Sequence, residues 1–375
     1  MSRPFVLAAG GTGGHVFPAE ALAGELLARG RGVHLLCDGR ADAFARRVPE
    51  VEFHHVRAGR FGGGPGQAVY GLAEMAMGIM QARRLLRRLT PAGVIGFGGY
   101  ASVPSMLAAS HLGLPIVIHE QNAVLGRANR LLAPQAQRIA TAFPAISGLR
   151  RADRLRAVHT GNPVRPAIIA LADAGYTMPE PGRPIELLIL GGSQGAHILG
   201  EIVPPAITAL PDELRARIRI SQQVRPEDRA AVAAIYQQSG MAAELDSFFD
   251  DVPMRLCRAH LVICRAGAST VAELAALGRP AILIPYPHAT DDHQTANARA
   301  FAEAGGGWLL PQASLSQDLL SRRIESLLTD RTALIAAAAS AARFGRRDAA
   351  QRLARLVLDL DPGAARPTDL AEHAA

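Results

Sequence analysis

The sequence contains no lysine: all 40 of its basic residues are arginine. That excludes a P-loop built on its motif lysine, a Schiff-base lysine and a pyridoxal anchor. Any phosphate has to be met by backbone amides, helix N-termini, hydroxyls or guanidinium groups. Aromatic residues make up only 5% of the chain. No basic run is interleaved with them, which argues against nucleic acid as a partner. The three cysteines, Cys37, Cys257 and Cys264, lack metal-ligand spacing and read as small core residues in a reducing cytoplasm. No stretch of about 20 apolar residues is free of charge, so no transmembrane helix is expected. Met1-Ser2-Arg3 leads directly into a strand and leaves no room for a signal peptide. The sole Asp-x-Asp, Asp359-Leu360-Asp361, lies away from every glycine turn. No metal site and no cofactor are expected.

What is present is a repeated design. The run Pro4-Phe5-Val6-Leu7-Ala8-Ala9 leads into Gly10-Gly11-Thr12-Gly13-Gly14-His15. At mid-chain, Ile185-Glu186-Leu187-Leu188-Ile189-Leu190 leads into Gly191-Gly192-Ser193-Gln194-Gly195. Each is the first strand, turn and helix of an open parallel sheet. The 375 residues, 49% of them hydrophobic, suffice for two domains. Further strands are expected at 33–37, 93–96, 116–119, 138–141 and 157–160. A second set is expected at 217–222, 243–249, 261–265, 281–285 and 308–310. Helical patterns lie between them, beginning with 19–29. The expected fold class is α/β, with two Rossmann-like parallel-sheet domains facing a cleft. The divisions are an N-terminal domain 1–162, a C-terminal domain 163–345, a helix 346–361 that packs back on the first domain, and a disordered tail 362–375. The turn cluster Gly161-Asn162-Pro163-Val164-Arg165-Pro166 is the hinge.

The net charge of +7 suits an anionic ligand or membrane surface. Residues 69–89 carry Met75, Met77, Ile79, Met80, Leu85 and Leu86, then Arg83, Arg84, Arg87 and Arg88. This is either a membrane-interface segment or a surface helix with a solvated basic end.

The turns carry the chemistry. Gly10–His15 is no dinucleotide fingerprint, because Val16 replaces the third glycine. It remains a tight turn at a helix N-terminus, exposing Thr12 and His15, with Pro18 suited to the first turn of that helix. Gly191–Gly195 adds the Ser193 hydroxyl to successive amides, a cradle for a diphosphate. Phe97-Gly98-Gly99-Tyr100 and His119-Glu120-Gln121-Asn122 follow two more strands. In the segment Ala268, Ser269, Thr270, Val271, Ala272 and Glu273, the acid lies about one turn into a helix, where it can accept the hydroxyl pair of a ribose. Asp292 can cap the next helix, whose His293 and Gln294 can bind a sugar.

In order and spacing, GGTGGHVFPA, GFGGY, HEQNAVLGRANR, GNPVR, GGSQGA, CRAGASTVAEL and PYPHATDDHQTANA resemble the MurG family of bacterial cell-wall glycosyltransferases, over about residues 4–360. The resemblance implies a GT-B fold and an inverting, metal-independent hexosyltransferase. It would pass N-acetylglucosamine from UDP-N-acetylglucosamine to the 4-hydroxyl of the muramoyl sugar of lipid I, giving lipid II. The place implied is the cytoplasmic face of the inner membrane, as a peripheral protein, with an anionic membrane surface and cell-wall synthesis proteins as partners. Thr12, Gly13 and Gly14 would lie near the transferred sugar and diphosphate. Asn122 and Gln294 would bind sugar hydroxyls, and Arg165 and Ser193 the donor phosphates. Residues 268–273 would hold the nucleoside, with Glu273 on the ribose. Phe249 stands where the family uses an apolar residue whose backbone contacts uracil. His15, Tyr100 and Glu120 would face the acceptor. Residues 69–88 match the membrane-docking region. His15 or Glu120 would be the base. A nucleotide-sugar epimerase or hydrolase of the same fold, or a non-catalytic nucleotide-sugar-binding module, stays open as an alternative.

Overall fold

The computed structural model describes residues 2–10, 13–38, 48–59, 65–192 and 195–361. They form two compact units. Unit 1 comprises Met1–Pro163 with Asp348–Ala375, and unit 2 is Val164–Arg347.

In unit 1 the strands are β1 (Phe5–Ala8), β2 (Val33–Cys37), β3 (Glu52–His55), β4 (Gly93–Gly96), β5 (Ile116–Glu120), β6 (Arg138–Thr141) and β7 (Ala157–His159). They pair in parallel in the order β3-β2-β1-β4-β5-β6-β7. Side chains alternate across a strand, so β1 feeds two cores. Phe5 and Leu7 join Leu22, Leu26, Leu35, Leu353 and Val357 on one face. Val6 and Ala8 join Leu36, Ala82, Leu86, Met106 and Ile118 on the other. Burial on both faces explains why β1 is uniformly apolar rather than alternating.

The helix Ala349–Leu358 closes this unit by packing on the helix Gly13–Leu27. Arg31 fastens its end: the guanidinium pairs with Asp361 at 2.5 Å and lies over the Phe5 ring. Two expectations shift. The first helix begins at Gly13, so Pro18 falls inside it and removes the bond that the Gly14 carbonyl would accept. The strand β3 was not expected, because of Glu52-Phe53-His54-His55 only Phe53 is apolar. An edge strand buries little and needs no apolar run.

Unit 2 repeats the scheme with β8 (Ile185–Leu190), β9 (Ile218–Gln223), β10 (Ala243–Asp246), β11 (Leu261–Cys264), β12 (Ala281–Leu283) and β13 (Gly307–Leu309). The order is β10-β9-β8-β11-β12-β13, again parallel throughout. Strand β10 stops short of the expected 249 because the Asp246 carboxylate accepts the Ser247 amide at 2.7 Å and turns the chain.

In each unit the strand order reverses beside its first strand, between β1 and β4 and between β8 and β11. Ligands of such sheets bind outside the carboxyl ends of the strands at this point. Glycine makes both places. A Cβ on Gly10 would lie 2.3 Å from the Ala101 Cβ, so only glycine lets the turns after β1 and β4 meet. A Cβ on Gly191 would lie 2.6 Å from the Ala196 nitrogen.

The helix Pro65–Leu89 presents two unlike faces. Gly71, Met75, Gly78, Ala82 and Leu86 are buried, at helical spacing. Gly78 touches the chain at Arg57 so closely that a Cβ would lie 1.9 Å from the Arg57 carbonyl oxygen. The other face exposes Val69, Tyr70, Leu72 and Met80, followed by Arg83, Arg84, Arg87 and Arg88. Among the described residues no helix is long and apolar enough to cross a membrane.

Candidate active site

The unit 1 switch point is built from the turns after β1, β4 and β5. His15 stands in the first turn of the helix Gly13–Leu27, after Gly13 and Gly14. Its ring lies along the Gly98-Gly99 turn: a Cβ on Gly99 would be 3.4 Å from the His15 Nε2. Gly98 and Gly99 have φ of 79° and 73°, a region that side-chain-bearing residues seldom adopt. Tyr100 follows, half-exposed, at the start of a short turn.

His15 Nδ1 is 3.2 Å from the Gln121 Oε1. The Gln121 Nε2 faces the Phe97 carbonyl at 3.0 Å, the His119 carbonyl at 3.1 Å and the His119 Nδ1 at 3.0 Å. The His119 Nε2 faces the Gly161 carbonyl at 3.1 Å. His119 is fully buried, and burial pushes its pKa down to about 4, so the ring is neutral. Neither His119 nor Gln121 was picked out as functional from the sequence. Their signal was the polar run that continues a fully apolar strand.

Glu120 points elsewhere. Its Oε1 accepts the Asn122 amide at 3.0 Å and the Asn122 Nδ2 at 3.3 Å. Its Oε2 accepts the Gly126 amide at 2.9 Å and the Asn129 Nδ2 at 2.8 Å. The residue is 2% exposed. A carboxylate so occupied holds the loop 120–129 together, and Asn122 is part of that knot.

The unit 2 switch point differs in kind. The turn after β8 is pinned by Gln223, whose Oε1 accepts the Gly191 amide and whose Nε2 donates to the Gly192 carbonyl, each at 3.1 Å. Thr12 of the first turn and Ser193 of this one lie outside the described residues. After β11, Arg265 is buried, and burial lowers its pKa. Its Nη1 donates to the Ile284 carbonyl at 3.1 Å and the Pro285 carbonyl at 2.9 Å. Sequence reading had given Arg265 no role.

The helix Ala268–Leu277 starts here with Gly267 as its N-cap. Ala268, Ser269, Thr270 and Ala272 are half-buried and Val271 is buried. The Ser269 hydroxyl is buried with no hydrogen-bond partner among the described residues. Glu273, 6% exposed, lies one turn further on. Burial raises its pKa while Arg165 opposes that shift. Arg165 holds it in a fork, Nε to Oε1 at 2.7 Å and Nη2 to Oε2 at 2.8 Å. The structure thus pairs two residues 108 positions apart in sequence.

Gln294 is half-buried, its Oε1 accepting the Tyr286 amide at 2.9 Å. His293 donates from Nδ1 to the Thr290 carbonyl at 2.7 Å. Asp291 and Asp292 both sit at positive φ, 51° and 50°, an uncommon strain of the kind that collects at ligand sites. Asp292 precedes the helix His293–Glu303, but its side chain accepts from the Thr295 hydroxyl instead of a helix amide. Phe249 is buried in the loop after β10, under the Arg255 guanidinium at 4.0 Å.

One group of three metal-ligating side chains occurs among the described residues: His34, Glu52 and His54. It spans the strands β2 and β3, with His34 and Glu52 near their amino ends and His54 two residues on, whereas the glycine turns follow the carboxyl ends of β1, β4 and β8. Its two imidazoles have pKa values lowered first by burial, with the Arg88 cation adding to the shift.

Two doubly-wound parallel sheets, each with a glycine-opened helix at its switch point, make up the GT-B architecture. Residues 5–141 match the glycosyltransferase family 28 N-terminal domain, and residues 186–353 match the glycosyltransferase family 28 C-terminal domain. The chain is 56% identical over 355 residues to a Rhodospirillum centenum protein named UDP-N-acetylglucosamine–N-acetylmuramyl-(pentapeptide) pyrophosphoryl-undecaprenol N-acetylglucosamine transferase, covering 95% of this chain and 94% of that one. A protein of the same name from Paramagnetospirillum magneticum is 56% identical over 362 residues, covering 96% and 98%. The crystal structure of Acinetobacter baumannii MurG superposes with a TM-score of 0.77 at 30% identity, covering 95% of this chain and 99% of that one. The chain belongs to glycosyltransferase family 28.

Proposed function

We propose that the protein transfers N-acetylglucosamine from UDP-N-acetylglucosamine to the 4-hydroxyl of the muramoyl sugar of undecaprenyl-diphospho-N-acetylmuramoyl-pentapeptide, with inversion. The observation that carries this reading is the near full-length identity to relatives named for that reaction. The geometry supplies the parts. His15 is the base: it takes the hydroxyl proton as the oxygen bonds to the anomeric carbon and the diphosphate leaves with the bonding pair. Glu120 is a poor rival, because both its oxygens are spent on amides of its own loop. Glu273 accepts the ribose hydroxyls. The Arg165 fork leaves each of its oxygens a second lone pair and favours the charged form against burial. The amino end of the helix Ala268–Leu277, the Ser269 hydroxyl and the turn Gly191–Gly192 favour an anionic nucleotide. Gly13, Gly14, Asn122 and Gln294 contact the transferred sugar, Tyr100 the acceptor and Phe249 the uracil. Thr12 and Ser193 complete the sugar and diphosphate contacts.

The exposed face of the helix Pro65–Leu89 lies on an anionic membrane surface. Its apolar side chains enter the interface and its arginines meet the headgroups, as a lipid-linked acceptor requires. The protein works as a peripheral membrane enzyme on the cytoplasmic side.

The test is incubation with UDP-N-acetylglucosamine and a short-chain lipid-linked acceptor. Release of UDP should depend on acceptor and match disaccharide formed. Consumption of donor without acceptor would instead make the protein an epimerase or hydrolase.

A further inference from the structure

The hydrogen bonds behind His15 have a fixed direction, and backbone carbonyls fix it. A carbonyl oxygen only accepts. The Gln121 nitrogen must therefore be the atom facing the Phe97 and His119 carbonyls, which turns Oε1 toward His15. An amide oxygen also only accepts, so the hydrogen of that link belongs to the His15 Nδ1. At the far end, the Gly161 carbonyl requires the hydrogen of His119 to sit on Nε2. The neutral His119 ring then has a bare Nδ1, which accepts from the Gln121 Nε2. The two Gln121 Nε2 hydrogens serve three acceptors, the Phe97 and His119 carbonyls and the His119 Nδ1, so one of them is shared, and with that sharing every link agrees with the next. Rotating the Gln121 amide would set its oxygen against two carbonyl oxygens, and so is disfavoured.

We propose that Gln121 and His119 are positioning residues that hold His15 as the Nδ1–H tautomer. Nε2, the nitrogen beside the Gly98-Gly99 turn, is then the atom that receives the acceptor's proton. This rests on the reading of His15 as the base. In the step, the hydroxyl proton passes to Nε2, and the imidazolium that forms keeps its Nδ1–H on the Gln121 oxygen. The new glycosidic bond forms as the bond from the anomeric carbon to the diphosphate breaks. The proton later leaves to solvent. Free histidine in water prefers the other tautomer, so without this chain the ring would present a hydrogen where the reaction needs a lone pair. The chain ends at Gly161, two residues before the boundary of unit 1, so the base is set by a scaffold running from β5 to the end of β7.

The test is nitrogen-15 NMR of histidine-labelled full-length protein, with the His15 signals assigned by their loss in His15→Ala. Wild type should show Nδ1 protonated and Nε2 bare. Gln121→Met keeps length and removes both links. It should shift His15 to the Nε2–H form and lower kcat at least about tenfold, on a scale that reaches about 10⁴ when a base is forced into the wrong tautomer. KM for the donor should stay within about twofold. Gln121→Glu restores an acceptor for Nδ1–H while losing the bonds to the carbonyls. It should recover the tautomer and much of kcat in spite of lower thermal stability. A merely structural Gln121 would make the Glu variant no better than the Met variant, and that result overturns the proposal. So does a wild-type His15 protonated on Nε2. If His15→Ala itself keeps wild-type turnover, the base assignment fails. If His15→Ala is impaired while Gln121→Met is not, only the positioning role fails.

Discussion

The two switch points share a strand order and a glycine-opened helix but hold opposite kinds of side chain. In unit 1 the buried groups aligned behind His15 are neutral, an imidazole, a carboxamide and backbone carbonyls, while the buried Glu120 carboxylate is turned to its own loop. In unit 2 they are charged: the Arg165–Glu273 fork and the Arg265 guanidinium beside the first turn of a helix. A neutral, directional array suits moving a proton at a defined atom. A buried, paired charge suits gripping a ribose and a diphosphate without moving protons at all. On the proposed function, one topology carries two tasks because the residues at the strand ends differ.

The largest expected effect attacks the unit 1 side. His15→Ala should lower turnover by about 10²–10⁴-fold, the usual contribution of a positioned base. Retained turnover, with the wild-type pH–rate profile, would show that the neutral array is structural.

Next comes a contrast in the surfaces. The apolar and arginine-faced helix Pro65–Leu89 belongs to unit 1. Arg83, Arg84, Arg87 and Arg88 changed together to Gln should weaken binding to vesicles containing an anionic phospholipid. At about 1 kcal/mol for each residue close to the surface, the loss reaches up to about 10³-fold at low salt. Turnover of a water-soluble acceptor should hardly change. Unaltered vesicle binding would make this an ordinary solvated helix end.

On the unit 2 side, Glu273→Ala should raise the donor Kd by roughly 10- to 150-fold, the equivalent of about 1.5–3 kcal/mol for hydrogen bonds to a charged group. Equal affinity in isothermal titration would remove the ribose assignment.

The smallest effect is on stability, and here the units agree. His119 in unit 1 and His260 in unit 2 are both lowered to about 4 by burial, with Arg279 adding to the shift at His260. The His260 Nδ1 also accepts the Glu186 amide at 2.8 Å, which a protonated ring cannot do. The unfolded chain therefore takes up these protons first. Stability should be intact above about pH 6.5 and fall as the pH drops toward 4. His260→Asn should flatten the slope of Tm against pH across that window. A slope equal to wild type would contradict the buried, neutral assignment.

The comparison also separates what a sequence discloses from what it hides. The apolar runs that became β1, β4, β5, β8 and β11 are legible, because strands buried on both faces leave little choice of residue. So are the glycine turns, since a close approach such as Gly10 against Ala101 admits nothing larger. The edge strand β3 is not legible, because an exposed strand imposes no such pattern. Nor are the pairings. Whether Glu120 faces a substrate or ties its own loop depends on where the Gly126 amide and Asn129 arrive. The meeting of Arg165 with Glu273 depends on the fold of all unit 2. Gln121 stood within a visible polar run, but its direction comes only from carbonyls that the folded strands put in place.

The division of labour is tested most directly by measuring UDP affinity and saturating turnover on the same three preparations, wild type, His15→Ala and Glu273→Ala. The account predicts that His15→Ala binds UDP within about twofold of wild type yet turns over slowly. It predicts that Glu273→Ala binds UDP weakly yet turns over within about tenfold of wild type once donor is saturating. A His15→Ala protein that loses UDP affinity as fully as Glu273→Ala would contradict it, because His15 would then serve the grip on the donor rather than act as the base.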